Sequence, residues 1–521
     1  PHVNAELTSF GIPDWVLAEP AVQAVTSRGT PAWLPVPPRA FPIPSYASKA
    51  FHALVREWYA SVAEIVAPFL GDPVVALGID NEAQLFFRAG AYDLDYHPDA
   101  LAWWDEEFGG PAPRAWDPAH PAVCAHWVLF KDRYLARALH DFAAMADEVG
   151  LGTLARFHNL PPGHHGLYDL RELQHRLGGP VGIDAYTPRS RFPELRRRAA
   201  ACVGDARPVP IAFEVGVGFF PWFPPLDPGP AGAIDDPTRE RDHVLTLLSQ
   251  GIRGFNLFMA VERERYYGAA ISEKGVVEPH AKWIAPLLAT LQEIAWPTLR
   301  RRIPIAVFHT RADERYGTAS CVIDPMTPVL ADVLGLGPGG STELGRDPAA
   351  ILSRRWQDAV CRALELAQVP YALVDEVTSP EELAAYRAVI LPTIDRVDQT
   401  AWETVCALAE QRKVICVIGP ATPARDEFEQ ALAGAVPKRV GRLRPASLDD
   451  LPGLAEDLAA LAGDLPDAWQ VERPDDVRAT AFADPDGVVR AVFVISDADR
   501  AVSAILLADG SSLRDAVTGD H

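Results

Sequence analysis

Two acidic residues stand where a chain rarely places a charge without a use. Asp80-Asn81-Glu82 closes the apolar run Val74–Ile79, and Glu214 lies inside Ile211-Ala212-Phe213-Glu214-Val215-Gly216. A carboxylate in a nearly all-apolar stretch is costly unless it is paired or functional. Taken singly, each reads equally well as a strand-end salt bridge or a helix cap. Their surroundings change the reading, because they are what a sugar site uses. Phe219, Phe220, Trp222 and Phe223 follow Glu214, and Tyr266-Tyr267 follow the apolar run ending at Met259. Aromatic faces stack on sugar C–H surfaces while carboxylates and amides take hydroxyls. Any one of these aromatics alone is packing; their clustering after the ends of apolar runs raises the sugar hypothesis.

The elements that must position these residues are legible from periodicity. Phe51, Leu54, Val55, Trp58, Val62, Ile65, Val66 and Phe69 recur at helical spacing and predict one buried stripe ahead of Val74–Ile79. Similar apolar runs recur at Thr153–Phe157, Val181–Ala185, Ile211–Val215 and Gly254–Met259. Continuous apolar strands are what a parallel sheet covered on both faces demands. With His2–Leu7 this gives six strands in βα alternation, the pattern of a (β/α)8 barrel in which strand ends converge on one mouth. Glu82 and Glu214, 132 positions apart, would then face each other.

A second α/β region is expected over 301–440, with strands at Ile303–Phe308, Tyr371–Val374, Ala388–Leu391 and Lys413–Ile418 and helices over Ala349–Ala367 and Thr400–Gln411. From 441 to 521 an acidic Ala/Leu-rich stretch precedes strand patterns at Val477–Ala483, Val488–Ile495 and Ala501–Leu507, a small β region. Residues 1–300 make the third unit, the barrel. The chain carries 70 acidic and 48 basic residues, a net charge of −22, which excludes nucleic-acid binding by phosphate neutralisation. No run is apolar enough to span a membrane. The six cysteines are scattered without a C-x-x-C pair, which fits a reducing compartment such as the cytoplasm.

Other motifs carry less. His164-His165 lack the i, i+4 spacing and third ligand of a zinc site, so no metal and no cofactor is expected. The glycine-rich run Gly335–Gly340 has no Lys-Ser/Thr after it and is no phosphate loop. Cys416 lies within a strand, not on a sharp turn after one, and is no activated nucleophile. His158-Asn159 ends a strand and reads as a structural pair. Glu262-Arg263-Glu264-Arg265 alternates in sign like a solvated face.

Gly78-Ile79-Asp80-Asn81-Glu82 resembles the acid/base motif of the retaining β-galactosidases of glycoside hydrolase families 35 and 42, in which an Asn-Glu pair follows barrel strand four. Phe213-Glu214-Val215-Gly216 resembles their nucleophile segment on strand seven. Asn4-Ala5-Glu6 with Phe10-Gly11-Ile12-Pro13-Asp14-Trp15 resembles the strand-three segment of family 35, and Asn256-Leu257-Phe258-Met259 its strand-eight segment, with Phe258 in place of Tyr. The second domain resembles the flavodoxin-like, amidotransferase-like domain of family 42. The resemblance implies that Glu82 is the general acid/base and Glu214 the nucleophile of a double displacement, with the carboxyl groups about 5–5.5 Å apart. It implies that Ala5, Glu6, Asn81 and Tyr267 contact the sugar, and that the substrate is a terminal β-galactoside. Tyr186 is expected to line the same mouth and orient Glu214, and Trp222 to serve as a platform. The family's Gly-Gly-Thr-Asn-Phe stretch after strand eight is replaced here by Ala260–Arg265, so substrate preference is less determined than mechanism.

If Asn4-Ala5-Glu6 belongs to strand three, two βα units, roughly 60 residues, are expected before Pro1. The second domain implies a homo-oligomer, a dimer or trimer. The alternatives are a retaining β-glycosidase of the same clan acting on another sugar, and a non-catalytic carbohydrate-binding barrel; the presence of both carboxylates favours an enzyme.

Overall fold

The computed structural model describes residues 12–36, 39–83, 90–160, 169–186, 192–203, 209–217, 239–263, 268–321, 343, 345–432, 436–443, 448, 450–463, 470–471, 477–497, 506–507 and 515. The chain divides into two compact units: 1–182 with 312–351 and 425–431, and 183–311 with 352–424 and 432–521.

The first unit is built on helices α1 (Lys49–Val66), α2 (Pro98–Glu107), α3 (Pro121–Ala146) and α4 (Leu170–Leu177), with strands β1 (Ala76–Asn81) and β2 (Ala155–Leu160). Ser48 starts α1 by accepting the Phe51 N–H at 3.1 Å. Asp169 caps α4 in the same way, and Gly178, in the left-handed region at φ 69°, ends it. The long α3 is buried nearly all round, as a central helix must be, with Trp127, Phe130, Leu135 and Leu139 in the core. β1 and β2 are parallel, with Ala76 opposite Ala155 and Asn81 opposite Asn159. The chain then enters β3 (Val181–Ala185), where His158 N–H donates to Pro180 O at 3.1 Å.

The helical stripe predicted before β1 is present but rotated. Phe51 and Tyr59 are its buried residues, and Leu54, Val55, Val62 and Val66 pack against the core. Trp58, Ile65 and Phe69 turn outward, with Ile65 71% exposed. Tyr59 takes the inward position, where its hydroxyl donates to the Ile79 carbonyl.

Asp95 forms a buried polar knot that periodicity does not announce. Its carboxylate accepts from Ser45 Oγ at 2.5 Å, Tyr134 Oη at 2.8 Å, and the Val25 and His97 N–H groups at 3.1 and 2.9 Å. Four donors offset the desolvation of a charge that is only 3% exposed.

In the second unit β3 pairs in parallel with β4 (Ile211–Gly216), and β4 with β5 (Gly254–Phe258). Helices α5 (Phe192–Val203) and α6 (Arg239–Ser249) follow β3 and β4. The βα alternation and parallel pairing expected for this part of the chain are thus present. The expected strand His2–Leu7 and the region 322–342 lie outside the described residues.

A second parallel sheet contains β6 (Ile305–Phe308), β7 (Tyr371–Val374), β8 (Ala388–Thr393), β9 (Ile415–Pro420) and β10 (Gly441–Arg442) in the order β10-β9-β8-β6-β7. Ile305 stands between Tyr371 and Ala388, and Ala388 between Ile305 and Ile415. Helix α7 (Pro348–Leu366) packs on one face through Trp356, Val360 and Leu364. Helix α8 (Gln399–Gln411) covers the other through Trp402, Val405 and Leu408. Burial on both faces explains why these strands read as unbroken apolar runs. Helix α9 (Leu451–Ala462), the acidic Ala/Leu-rich stretch, joins the α7 side of this core.

Strands β11 (Val477–Ala483) and β12 (Val489–Ser496) form an antiparallel hairpin whose Phe482 and Phe493 pack edge-on against Trp296 at 4.6 and 5.3 Å. Arg196 of α5, 2% exposed, ties the hairpin end to α7. Its guanidinium donates twice to Glu365 Oε2, at 2.9 and 2.7 Å, and to both Asp497 oxygens, at 2.7 and 2.9 Å.

Candidate active site

One candidate segment, in the first unit, is the end of β1. Three side chains hold that segment, two through its backbone and one through the Asp80 carboxylate. Tyr59 Oη donates to Ile79 O at 2.5 Å, Tyr46 Oη donates to Asp80 Oδ2 at 2.8 Å, and His158 Nδ1 donates to Asp80 O at 2.9 Å. His158 is fully buried. Burial pushes its imidazole below the ordinary histidine value, an effect only partly offset by the Asp80 charge. The ring is therefore neutral, with its hydrogen on Nδ1 facing the carbonyl and its buried Nε2 without a hydrogen bond among the described residues.

Just past this clamp Glu82 adopts φ 43°, in the left-handed region. A side chain there costs roughly 1–2 kcal/mol, which is why glycine and asparagine usually take such positions. Keeping a glutamate at a strained strand end is the kind of backbone outlier from which a functional role can be inferred. Asn81 and Glu82 are both partly exposed, so their amide and carboxyl groups are within reach of a ligand.

A separate candidate segment, in the second unit, lies on β4. Glu214 is nearly buried, and the Tyr186 hydroxyl donates to its Oε1. Tyr186 follows β3 directly, and Asp184, two residues earlier, stands opposite Glu214 in the ladder. Residues two apart on a strand share a face, so Asp184, Tyr186, Glu214 and Gly216 project to one side. Gly216 is needed there. A Cβ at that position would come within 2.8 Å of Tyr186 Cε1, so only glycine lets the ring lie across the strand to reach the carboxylate. Asn256 of β5 donates to Phe213 O at 3.2 Å, and Val217 N–H to Phe258 O at 2.9 Å, fixing the strand on its other edge.

Each segment is chemically specific. A carboxylate that receives a phenolic hydrogen bond is oriented, and its negative charge is stabilised, as attack on an electrophilic carbon requires. Glu82, partly exposed just past the strand end, has the access a proton donor to a leaving oxygen needs.

Of the residues singled out in the sequence, Asn81, Glu82, Tyr186 and Glu214 are thus placed in such settings. Ala5, Glu6, Trp222 and Tyr267, like Phe219, Phe220, Phe223 and Tyr266, lie outside the described residues. Tyr46 and Tyr59 escaped sequence reasoning. The only signal for Tyr59 is a polar tip on an otherwise apolar stripe, and Tyr46 has none. His158 was read as structural, and its bond to Asp80 O gives it a direct connection to the segment bearing Glu82.

Among the described residues no cluster of three or more metal-ligating side chains occurs and no helix is long and apolar enough to cross a membrane. All six cysteines are free thiols, and burial pushes Cys202 and Cys361 up to about 12 and Cys416 up to about 11, which leaves them unreactive. A groove of about 510 Å³ in the first unit is lined by Glu106, Glu107, Arg133, Arg137 and Arg176. Its charges neutralise one another, with Arg133 on Glu107 and Arg137 on Glu106 at 2.7 Å, so it is a solvated surface with no converging catalytic pair.

No protein-family model matches the sequence and no curated protein does. The fold, by contrast, is shared with solved glycosidase structures. The β-galactosidase from Bacillus circulans sp. alkalophilus superposes with a TM-score of 0.60 at 14% identity, covering 81% of this chain and 62% of that one. The β-galactosidase from Rahnella sp. R3 gives 0.55 at 14%, covering 81% and 61%. The apo exo-carrageenase of glycoside hydrolase family 42 from Bacteroides ovatus gives 0.57 at 11%, covering 97% and 72%. The chain therefore has an α/β fold with the parallel sheet of the barrel glycosidases, and it spans about three fifths of the length of the two β-galactosidases.

Proposed function

We propose that this chain is a retaining glycoside hydrolase that removes terminal β-D-galactosyl residues, with Glu214 as nucleophile and Glu82 as general acid/base. The observation that carries the reading is the Tyr186–Glu214 hydrogen bond, made possible by Gly216, on a strand whose fold counterparts belong to glycosidases. In this scheme Glu214 attacks the anomeric carbon while protonated Glu82 gives its hydrogen to the glycosidic oxygen, and the aglycone leaves. Water deprotonated by Glu82 then adds to the same carbon, Glu214 departs, and the configuration is retained. Asn81 is assigned to the sugar 2-hydroxyl, Tyr186 to orienting Glu214, and Ala5, Glu6, Trp222 and Tyr267 to sugar contacts. The strand pattern of family 35 and the second sheet, whose order follows that of flavodoxin-like folds, belong to the same proposal. So do the domain limits 1–300, 301–440 and 441–521, and assembly as a dimer or trimer.

A second reading keeps the mechanism and changes the sugar. The structure covered by 97% of this chain is described as an exo-carrageenase, so a modified galactan is the leading alternative to a plain β-galactoside.

The deciding experiment is a panel of nitrophenyl β-glycosides and carrageenan oligosaccharides offered to the native protein and to Glu214→Gln. The β-galactoside should be turned over by the native protein alone, with NMR showing the β-anomer released first. Undiminished turnover in Glu214→Gln would remove Glu214 from its role. Inertness toward every glycoside, with saturable sugar binding, would instead make the chain a carbohydrate-binding barrel.

A further inference from the structure

Arg253, Arg300 and Arg301 gather in the second unit around the Trp296 segment, and none of them has a part in the mechanism above. The Arg253 backbone is fixed by its N–H to Pro210 O at 2.7 Å, and its guanidinium lies 4.6 Å over the Trp296 ring and 5.5 Å from that of Phe482. Arg300 is anchored through its backbone to Ala483 of β11, donating and accepting at 2.8 and 2.9 Å. The side-chain bonds of the three are all to neutral acceptors. Arg253 Nη1 reaches Trp296 O at 3.2 Å, Arg300 Nη1 reaches Pro297 O and Leu299 O at 2.7 and 2.9 Å, and Arg301 Nη1 reaches Gln250 Oε1 at 3.4 Å.

No carboxylate bonds to any of the three among the described residues, in a chain with 70 acids to 48 bases. Arg196, by comparison, holds two. Each guanidinium has five N–H donors in a rigid fork, and here only one or two are used. Burial, then the charges of Arg300 and Arg301, bring Arg253 down to about 10, and burial brings Arg301 down to about 10. Both shifts mark a missing counter-charge.

We propose that Arg253, Arg300 and Arg301 form a binding site for a tetrahedral oxyanion, phosphate or sulfate, free or as a monoester. Such an anion supplies several acceptor oxygens to unused forks. These residues are separate from Glu82 and Glu214, so the site stands or falls independently of the glycosidase reading.

The test is thermal unfolding of the full chain titrated with sodium phosphate, sodium sulfate or phenyl phosphate, each against sodium chloride at equal ionic strength. A saturable rise in Tm is expected, with the midpoint shifted roughly tenfold or more to higher ligand in Arg300→Gln and Arg301→Gln, as loss of a charged hydrogen-bond donor dictates. Arg253→Lys, which keeps the charge but loses the fork, should weaken binding as well. A tighter midpoint for phenyl phosphate than for phosphate supports the site with an ester occupant, and the reverse order supports it with a free ion. A rise no larger than that in chloride, or midpoints unchanged in the variants, would overturn the proposal. Because Arg300 is exposed, Arg300→Gln keeps the test alive should Arg301→Gln fail to fold.

Discussion

Tyr186 gives its hydroxyl hydrogen to Glu214 across the β3–β4 pair, and its ring lies where a side chain at residue 216 would clash with it. A tyrosine that orients a carboxylate and balances its charge contributes to turnover without being consumed. Tyr186→Phe should leave the fold intact and lower kcat on a nitrophenyl β-galactoside by roughly tenfold to a hundredfold, the loss of one hydrogen bond to a charged group. Gly216→Ala should give a similar loss with the hydroxyl still present. A native kcat in both variants would show that the contact is packing alone.

Glu82 sits at φ 43°, so its backbone and its carboxyl group make opposite demands. Replacing it by glycine relieves roughly 1–2 kcal/mol of strain, of which the greater freedom of the unfolded chain takes back about 1 kcal/mol. Glu82→Gly should therefore match or slightly exceed the native Tm while losing turnover. Alanine, which keeps the strain and loses the acid, should lose turnover at a Tm near the native value and below that of the glycine variant. A clear drop in Tm for the glycine variant would mean that the carboxylate, not the backbone, stabilises this turn.

His158 makes the first unit sensitive to acid. Its folded value lies below the ordinary 6.5, chiefly through burial, so below that pH the unfolded chain takes up a proton that the folded chain refuses. Stability from this group is complete above pH 6.5 and is lost as pH falls toward the folded value, at up to about 1.4 kcal/mol per pH unit. Urea unfolding at pH 7.5 and 5.5 should show a larger loss for the native protein than for His158→Gln. Equal losses would refute the assignment.

The Arg196 cluster tests buried charge directly. Arg196→Met strands Glu365 and Asp497 and should destabilise by about 3–5 kcal/mol, read as a shift of the urea midpoint. Adding Glu365→Gln and Asp497→Asn should recover part of that loss. No recovery in the triple variant would locate the damage in packing instead of charge.

How much of this was legible beforehand depends on how local the cause is. The runs at Tyr371–Val374 and Val181–Ala185 coincide with their strands, because burial on both faces writes itself into consecutive residues. The strand carrying Asn81 runs two residues later than its apolar run suggests, Ala76–Asn81, since Asp80 tolerates a strand position once Tyr46 takes its carboxylate. Neither that bond, spanning 34 positions, nor the four-donor shell around Asp95 leaves a periodic trace. Glu82 and Glu214 were visible as charges out of place, but the partners that give them direction come from distant segments.

Arg196 also bears on how the chain can be cut. One of its two acidic partners, Asp497, lies immediately after the last strand of the hairpin. Trimming the tail back past that residue would strip a buried cation of half its compensation. An expression boundary chosen just upstream, which looks harmless on a sequence map, would therefore act as an interior lesion and yield insoluble material.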